Sequence, residues 1–247
     1  MKTSERQHLK VNEVALATEW LITRFNEKRG LWSAVIGIVL VVVLGVGGYS
    51  AWRANIDSQA EALLSQAMVI YDARVAPPVP AVNASPNSPA VTQQPGTYPT
   101  ERAKLEAALP KFQAVADAYP TSTAGLTARY LMASVLVGLG RYDEAVEQYD
   151  RVISAGRGMV SRVARLGKAE AELRAGRHDA AIAGFKAVVE APAGDLPPEA
   201  VKLELARAYR LAGRLDEARQ TLTDITENHA DSPFAAEARA ELERIKS

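Results

Sequence analysis

The sequence predicts an all-α protein: an N-terminal transmembrane helix followed by a solenoid of paired helices. Three observations predict it. Residues 31–52 run for 22 residues without a charge, a glycine-centred turn recurs at spacings of 36 and 37, and the segments flanking each turn repeat their apolar residues every three or four positions. The rest of the composition narrows the field. Of 247 residues 48% are apolar, and 29 Lys and Arg balance 29 Asp and Glu. That balance excludes a uniformly basic nucleic-acid binder and a wholly disordered acidic chain. The absence of cysteine excludes disulfides, thiolate zinc sites, a cysteine nucleophile and a lipidated N-terminal cysteine. The three histidines, His8, His178 and His229, are far apart without ligand-like neighbours, so no metal and no cofactor is expected.

The run LWSAVIGIVLVVVLGVGGYSAW over 31–52 spans roughly the 30 Å of a hydrocarbon core at about 1.5 Å per helical residue. Trp32 stands at one end and Tyr49 with Trp52 at the other, at the depth that amphipathic rings prefer, and Lys28, Arg29 and Arg53 mark the polar edges. Arg24, Lys28 and Arg29 precede the run and Arg53 alone follows closely, which puts the segment 1–30 in the cytoplasm. A cleaved signal peptide competes with this reading. The polar segment before the run and the run itself both exceed signal-peptide dimensions, and Tyr49-Ser50-Ala51 sets a bulky side chain where cleavage wants a small one. A retained anchor is therefore expected. Before it, 12–28 aligns Val14, Ala17, Leu21 and Phe25 on one helical stripe, suited to the membrane surface, a partner or a simple extension of the span. Gly45, Gly47 and Gly48 permit close helix approach but do not form GxxxG.

Beyond the membrane, 53–75 is expected as an extramembrane helix with Ile56, Ala60, Leu63, Leu64, Ala67, Ile70 and Tyr71 near one face. Residues 76–100 hold seven of the thirteen prolines and no charge, which predicts a disordered or extended linker. Asn83-Ala84-Ser85 within it fits a glycosylation sequon, a pattern short enough to arise by chance. Residues 101–247 form the repeat domain. From 53 onward 23 basic side chains face 25 acidic ones, so the exported part has no electrostatic footprint for nucleic acid.

The repeats read GRYDEAVEQYDRVI from Gly140, GRHDAAIAGFKAVV from Gly176 and GRLDEARQTLTDIT from Gly213. Each glycine suits a left-handed helix end, and Asp143, Asp179 and Asp216 suit the start of the next helix. Ala133, Ala169 and Ala206 on the first helix of each pair (helix A), with Ala145, Ala181 and Ala218 on the second (helix B), are small enough for close approach. Tyr149, Phe185 and Leu222, then Val152, Val188 and Ile225, supply the bulk between repeats.

On these residues the chain resembles the tetratricopeptide repeat superfamily over about 126–230, so the fold class is a transmembrane helix plus a tetratricopeptide-like solenoid. It departs from that pattern at Lys168, where an apolar residue is usual, at His178, where an aromatic is usual, and in its longer spacing. A further, split unit precedes the three. Phe112, Val115 and Pro120 fall in the phase of a helix B ending, and 56–71 would be its helix A with the proline-rich segment inserted between them. Pro110 is expected to kink or restart the helix over 101–119. The last segment, 233–246, reads as a polar-faced cap that buries Ala236, Leu242 and Ile245.

No catalytic constellation emerges. Gly167-Lys168 lacks the upstream glycine and the following Ser or Thr of a phosphate loop. His178 with Asp179 has no nucleophile beside it and falls in repeat phase, and neither Ser134 nor Ser161 joins an acid–base pair. Stacked A helices line the concave groove of a solenoid, where peptides bind. By repeat phase the partner-binding positions are Tyr130, Ser134, Leu166, Glu170, Arg174, Leu203, Arg207 and Arg210. The Lys and Asn set with which some repeats of this superfamily clamp a C-terminal carboxylate is missing.

The arrangement of span and repeats also resembles the single-span, tetratricopeptide-like accessory subunit family of the bacterial Sec translocon. That resemblance implies an inner-membrane protein with a periplasmic repeat domain. It further implies association with Sec translocon subunits and a membrane-anchored periplasmic folding factor, in a chaperone-like role towards exported proteins. A different class, a periplasmic scaffold coordinating cell-envelope or division machinery, shares the repeats, and a hidden hydrolase has no supporting spacing.

Overall fold

The computed structural model describes residues 29–80, 91–156, 158–191 and 196–246. The helix expected over 12–28, His8 and the sequon at Asn83 lie outside the described residues. The chain divides into two units, 1–55 and 56–247.

Helix α1, Arg29–Tyr71, contributes to both units. In the first unit its side chains are uncovered: Val41 is 71% and Leu44 72% exposed. A window of 18 residues has a mean hydropathy of 2.3 and is not buried at all, so the helix is long and apolar enough to cross a membrane by length and composition. At the end of the apolar run the Tyr49 and Trp52 rings lie 5.9 Å apart, and Arg53 Nη1 donates to Tyr49 Oη at 3.4 Å.

In the second unit α1 changes character. Ala60 and Ala67 are wholly buried, while Leu64, Met68, Ile70 and Tyr71 pack against α2, Glu101–Ala118. The predicted helix end near 75 is corrected to Tyr71. The flanks of the proline-rich segment are also ordered, not simply extended. Strands β1 (Arg74–Val75) and β4 (Thr97–Tyr98) pair in parallel, and β2 (Val79–Pro80) and β3 (Val91–Thr92) pair antiparallel. Gln93 holds the two sides together, its Nε2 donating to Ala76 O at 2.9 Å and to Thr97 Oγ1 at 2.5 Å.

Thr100 Oγ1 caps α2 by accepting from Ala103 N at 3.1 Å. Pro110 lies inside this helix, which continues through it without restarting. It lies on the exposed side with Glu106 also exposed, so water can hydrate the carbonyl that proline leaves unpaired. Three helix pairs follow: α3 (Thr123–Gly138) with α4 (Tyr142–Ala155), α5 (Met159–Arg174) with α6 (His178–Val189), and α7 (Pro198–Leu211) with α8 (Leu215–Asn228). Helix α9, Ala235–Lys246, closes the array, and each helix from α2 onward packs on the next.

Each pair is joined by the same turn. Gly140, Gly176 and Gly213 adopt φ of 76°, 77° and 75°, a region that glycine enters without the Cβ penalty. The following arginine N–H then reaches back to the helix: Arg141 N donates to Leu136 O, Arg177 N to Glu172 O and Arg214 N to Tyr209 O, at 2.8 to 2.9 Å. Those bonds, with Gly140 N to Val137 O and its two counterparts at 3.0 Å, satisfy carbonyls that a helix end leaves orphaned. The aspartates are not caps. Arg141, Arg177 and Arg214 occupy the N-cap positions without side-chain cap bonds, and Asp143, Asp179 and Asp216 sit in the first turn, where a negative charge suits the helix dipole. Asp143 also accepts from Arg177 Nη1 of the next pair at 2.6 Å, and Asp179 lies 3.9 Å from Arg214. The motif therefore links neighbouring repeats as well as turning the chain.

The core follows the predicted phase. Ala133, Ala145, Ala169, Ala181, Ala206 and Ala218 are at most 1% exposed, and Tyr149, Phe185 and Leu222 are buried behind them. Full burial of such a side chain contributes about 1.5–3 kcal/mol. The split unit obeys the same order, with Ala108, Phe112 and Val115 buried and Tyr119 Oη donating to Gln59 Oε1 at 3.3 Å. Lys168 is accommodated because its Nζ pairs with Asp150 Oδ1 at 2.7 Å. In the cap, Ala235 and Ala238 are the buried alanines. Ala236 is exposed, a correction of one helical position.

Candidate functional site

Tyr130 and Ser134 lie one turn apart on α3 and meet a residue that sequence phase had assigned to packing alone. Tyr149 of α4 reaches between the A helices, its Oη 3.0 Å from Ser134 Oγ and its ring 5.7 Å from that of Tyr130. The approach is possible because α5 carries Gly167 at the contact, where a Cβ would lie 2.6 Å from Tyr149 Cζ. Burial pushes the Tyr149 hydroxyl up to about 12 and raises that of Tyr130, with the Ser134 hydrogen bond pulling both back. These hydroxyls are hydrogen-bonding groups, not acids, near neutral pH.

Leu166 and Glu170 are half-buried on α5. Burial raises the Glu170 pKa, the charge of Glu204 on α7 adds to the rise, and Arg174 opposes it. Glu170 in turn raises both tyrosine pKa values, as does Tyr71 of the split unit. Tyr71, Tyr130, Tyr149, Glu170 and Glu204 therefore share one electrostatic neighbourhood across the A helices. Arg174 is exposed at the end of α5, in a polar cleft along the turn edge with Arg141, Asp143, Glu144 and Arg177.

The α7 end of the predicted surface is different. Leu203 is 3% exposed and belongs to the core with Ala206, Leu222, Ile225 and Ala238, so its assignment to an open groove is corrected: α9 packs where another A helix would stand. Arg207 is engaged by Glu204 at 2.5 Å, by Glu237 of α9, and by Glu241 at 3.7 Å. Arg210 Nε lies 3.6 Å from Glu241, a buried carboxylate that also accepts from Arg244 at 2.6 Å. Two of the three arginines predicted to meet a partner, Arg207 and Arg210, thus fasten the cap helix.

Two side chains that the sequence reading missed shape this surface. Tyr149 could have been found from Gly167, an interruption in the middle of a helix A that leaves room for an aromatic from the preceding pair. Arg129, 7% exposed, donates to Gln148 Oε1 and Ala116 O, both at 2.9 Å, and ties the split unit to α4. No sequence signal marked it, because its partners include a backbone carbonyl. Among the described residues no group of three His, Asp or Glu is placed to hold a metal ion.

Two tetratricopeptide repeat family models match the chain, over residues 130–195 and 172–242. No curated protein matches it. Among solved structures it is similar to a candidate kinesin light chain of Podosopora anserina built of nearly identical TPR-like repeats. The identity is 21% and the TM-score 0.51, with 57% of this chain and 77% of that one covered. MamA from Desulfovibrio magneticus RS-1, residues 41 to the end, matches at 20% identity and a TM-score of 0.44, covering 59% of this chain and 87% of that one. The likeness to the TPR-like repeats is one of fold. With the three glycine turns and the alanine–aromatic phase in place, residues 130–242 are a run of tetratricopeptide repeats.

Proposed function

We propose that this chain is a membrane-anchored protein–protein interaction module. In this reading α1 crosses the bacterial inner membrane once, the N-terminus is cytoplasmic and the repeats act in the periplasm. There they assist export, chaperoning or quality control of envelope proteins, together with Sec translocon subunits and a membrane-anchored periplasmic folding factor. The observation that carries the reading is the union of an uncovered apolar helix with tetratricopeptide repeats in one chain, since stacked A helices present a surface for extended or helical peptides. The basic flank before the apolar run supports the orientation. Repeats of this kind act by binding and need no catalytic group.

Photocrosslinking in cells tests it, with a photoreactive residue at Tyr130, Arg174 or Arg207 and adducts identified from membrane fractions. Translocon subunits, periplasmic folding factors or exported chains are the expected adducts at Tyr130. Adducts to division or wall-synthesis proteins alone would replace the export role with the envelope-scaffold role, and a cytoplasmic set would overturn the orientation.

A further inference from the structure

Among the described residues, the A-helix face carries a carboxylate, that of Glu170, which closes no ion pair. Glu170 is half-buried and, among the described residues, makes no hydrogen bond and no ion pair. The other acids on and beside this face are engaged: Glu204 and Glu237 by Arg207, and Glu241 by Arg244. Arg174, one turn further along α5, favours the charged form of Glu170 without closing a pair. Leu166 and the half-buried ring of Tyr130, backed by the buried ring of Tyr149, supply apolar and aromatic surface in the same neighbourhood.

A partly desolvated carboxylate beside aromatic faces complements a cation carried on an apolar stem. A neutral or acidic segment laid over it would bury the charge unpaired, which is costly. The chain's own proline-rich segment cannot supply the cation, because residues 76–100 contain no Lys and no Arg. We propose that Glu170 is the specificity point of the A-helix face, receiving the Lys or Arg of an otherwise apolar peptide segment presented by a partner protein. This rests on the A-helix face being the partner surface.

The test is selection of a random peptide library, displayed on phage, against the full chain in detergent micelles. Wild-type protein is expected to enrich Lys and Arg among otherwise apolar peptides by about tenfold, the scale of one desolvated ion pair. Glu170→Gln is expected to select apolar peptides without that enrichment, and Glu170→Lys to move the preference to Asp and Glu. The reversal is a result that a misfolded variant cannot give. Apolar peptides selected by wild type with no basic preference, or a basic preference that survives Glu170→Gln, would overturn the inference and leave the interaction surface standing. Failure to select any peptide, with no adducts at Tyr130, would remove the surface and the inference together.

Discussion

The first repeat and the three that follow it use the same packing residues and different connections. In the contiguous repeats three residues join helix A to helix B, at 139–141, 175–177 and 212–214, each with a left-handed glycine. In the first repeat residues 72–100 do that work. Lengthening a connection that much costs roughly 2 kcal/mol in loop closure. The split pair offsets it with Phe112, wholly buried and 5.7 Å edge-on to Tyr71, and with Ala67, Ala108 and Val115. The small, aromatic, apolar order of Ala108, Phe112 and Val115 is that of Ala181, Phe185 and Val188. Helix pairing is thus carried by this side-chain code, and the tight turn is one way of closing it.

Removing the aromatic is the severest test of that equivalence. Phe112→Ala and Phe185→Ala are each expected to lose about 3–5 kcal/mol, measured by thermal unfolding. Hydrogen exchange should separate them, with Phe112→Ala releasing α2 alone and Phe185→Ala releasing pairs on both sides. The same exchange pattern from both would show that the split repeat is not a distinct unit. Gly167→Ala is expected to cost about 1–3 kcal/mol, because the new methyl meets Tyr149. Gly176→Ala should cost about 1–2 kcal/mol from backbone strain alone, since open space surrounds its Cβ position.

The Glu170→Gln effect is smaller and depends on pH. Its folded-state pKa lies above the unfolded value, so protonation favours the folded chain and ionisation costs stability as pH rises through the folded pKa. Glu170→Gln should therefore be more stable than wild type at pH 7. That ionisation term should vanish below the unfolded carboxyl value. Asp224 is the opposite case. Its pKa is lowered by Lys202 and Asn228, so the stability it contributes is present above its unfolded value and lost as pH falls through its folded one. The smallest effect is expected from replacing residues 81–90 by a two-residue Asn-Gly turn, which keeps the Pro80–Val91 pairing: a gain of about 0.3 kcal/mol from the shorter loop, with the helical signal unchanged. A large loss would show that the insert supports the repeat directly.

Much of this was legible in the sequence where a residue's role is local or periodic. The glycine turns, the alanine contacts and the phase of Phe112 could be read because position alone determines them. The insert's short strands could not, because the pairing of Arg74 with Thr97 is fixed by backbone geometry across 23 positions. Leu203 misled because repeat phase treats each helix A as open, whereas the last one is covered by the cap. Arg207 and Arg210 misled for the same reason: their partners lie on α9, about 30 residues on, at a distance that repeat spacing does not encode. The long apolar helix was legible from composition, because an uncharged run of that length stands out in the sequence before any contact is known.

The paired flanks of the insert have one more consequence. Arg74 and Thr97 are strand partners, at a spacing of about 5 Å, so the first repeat presents a doorway whose two posts are already held side by side. A folded guest whose own termini lie close together, such as a fluorescent reporter or an affinity module, could be grafted between those posts without altering the register of any helix. The contiguous repeats, with three-residue turns and arginines committed to their neighbours, offer no such opening.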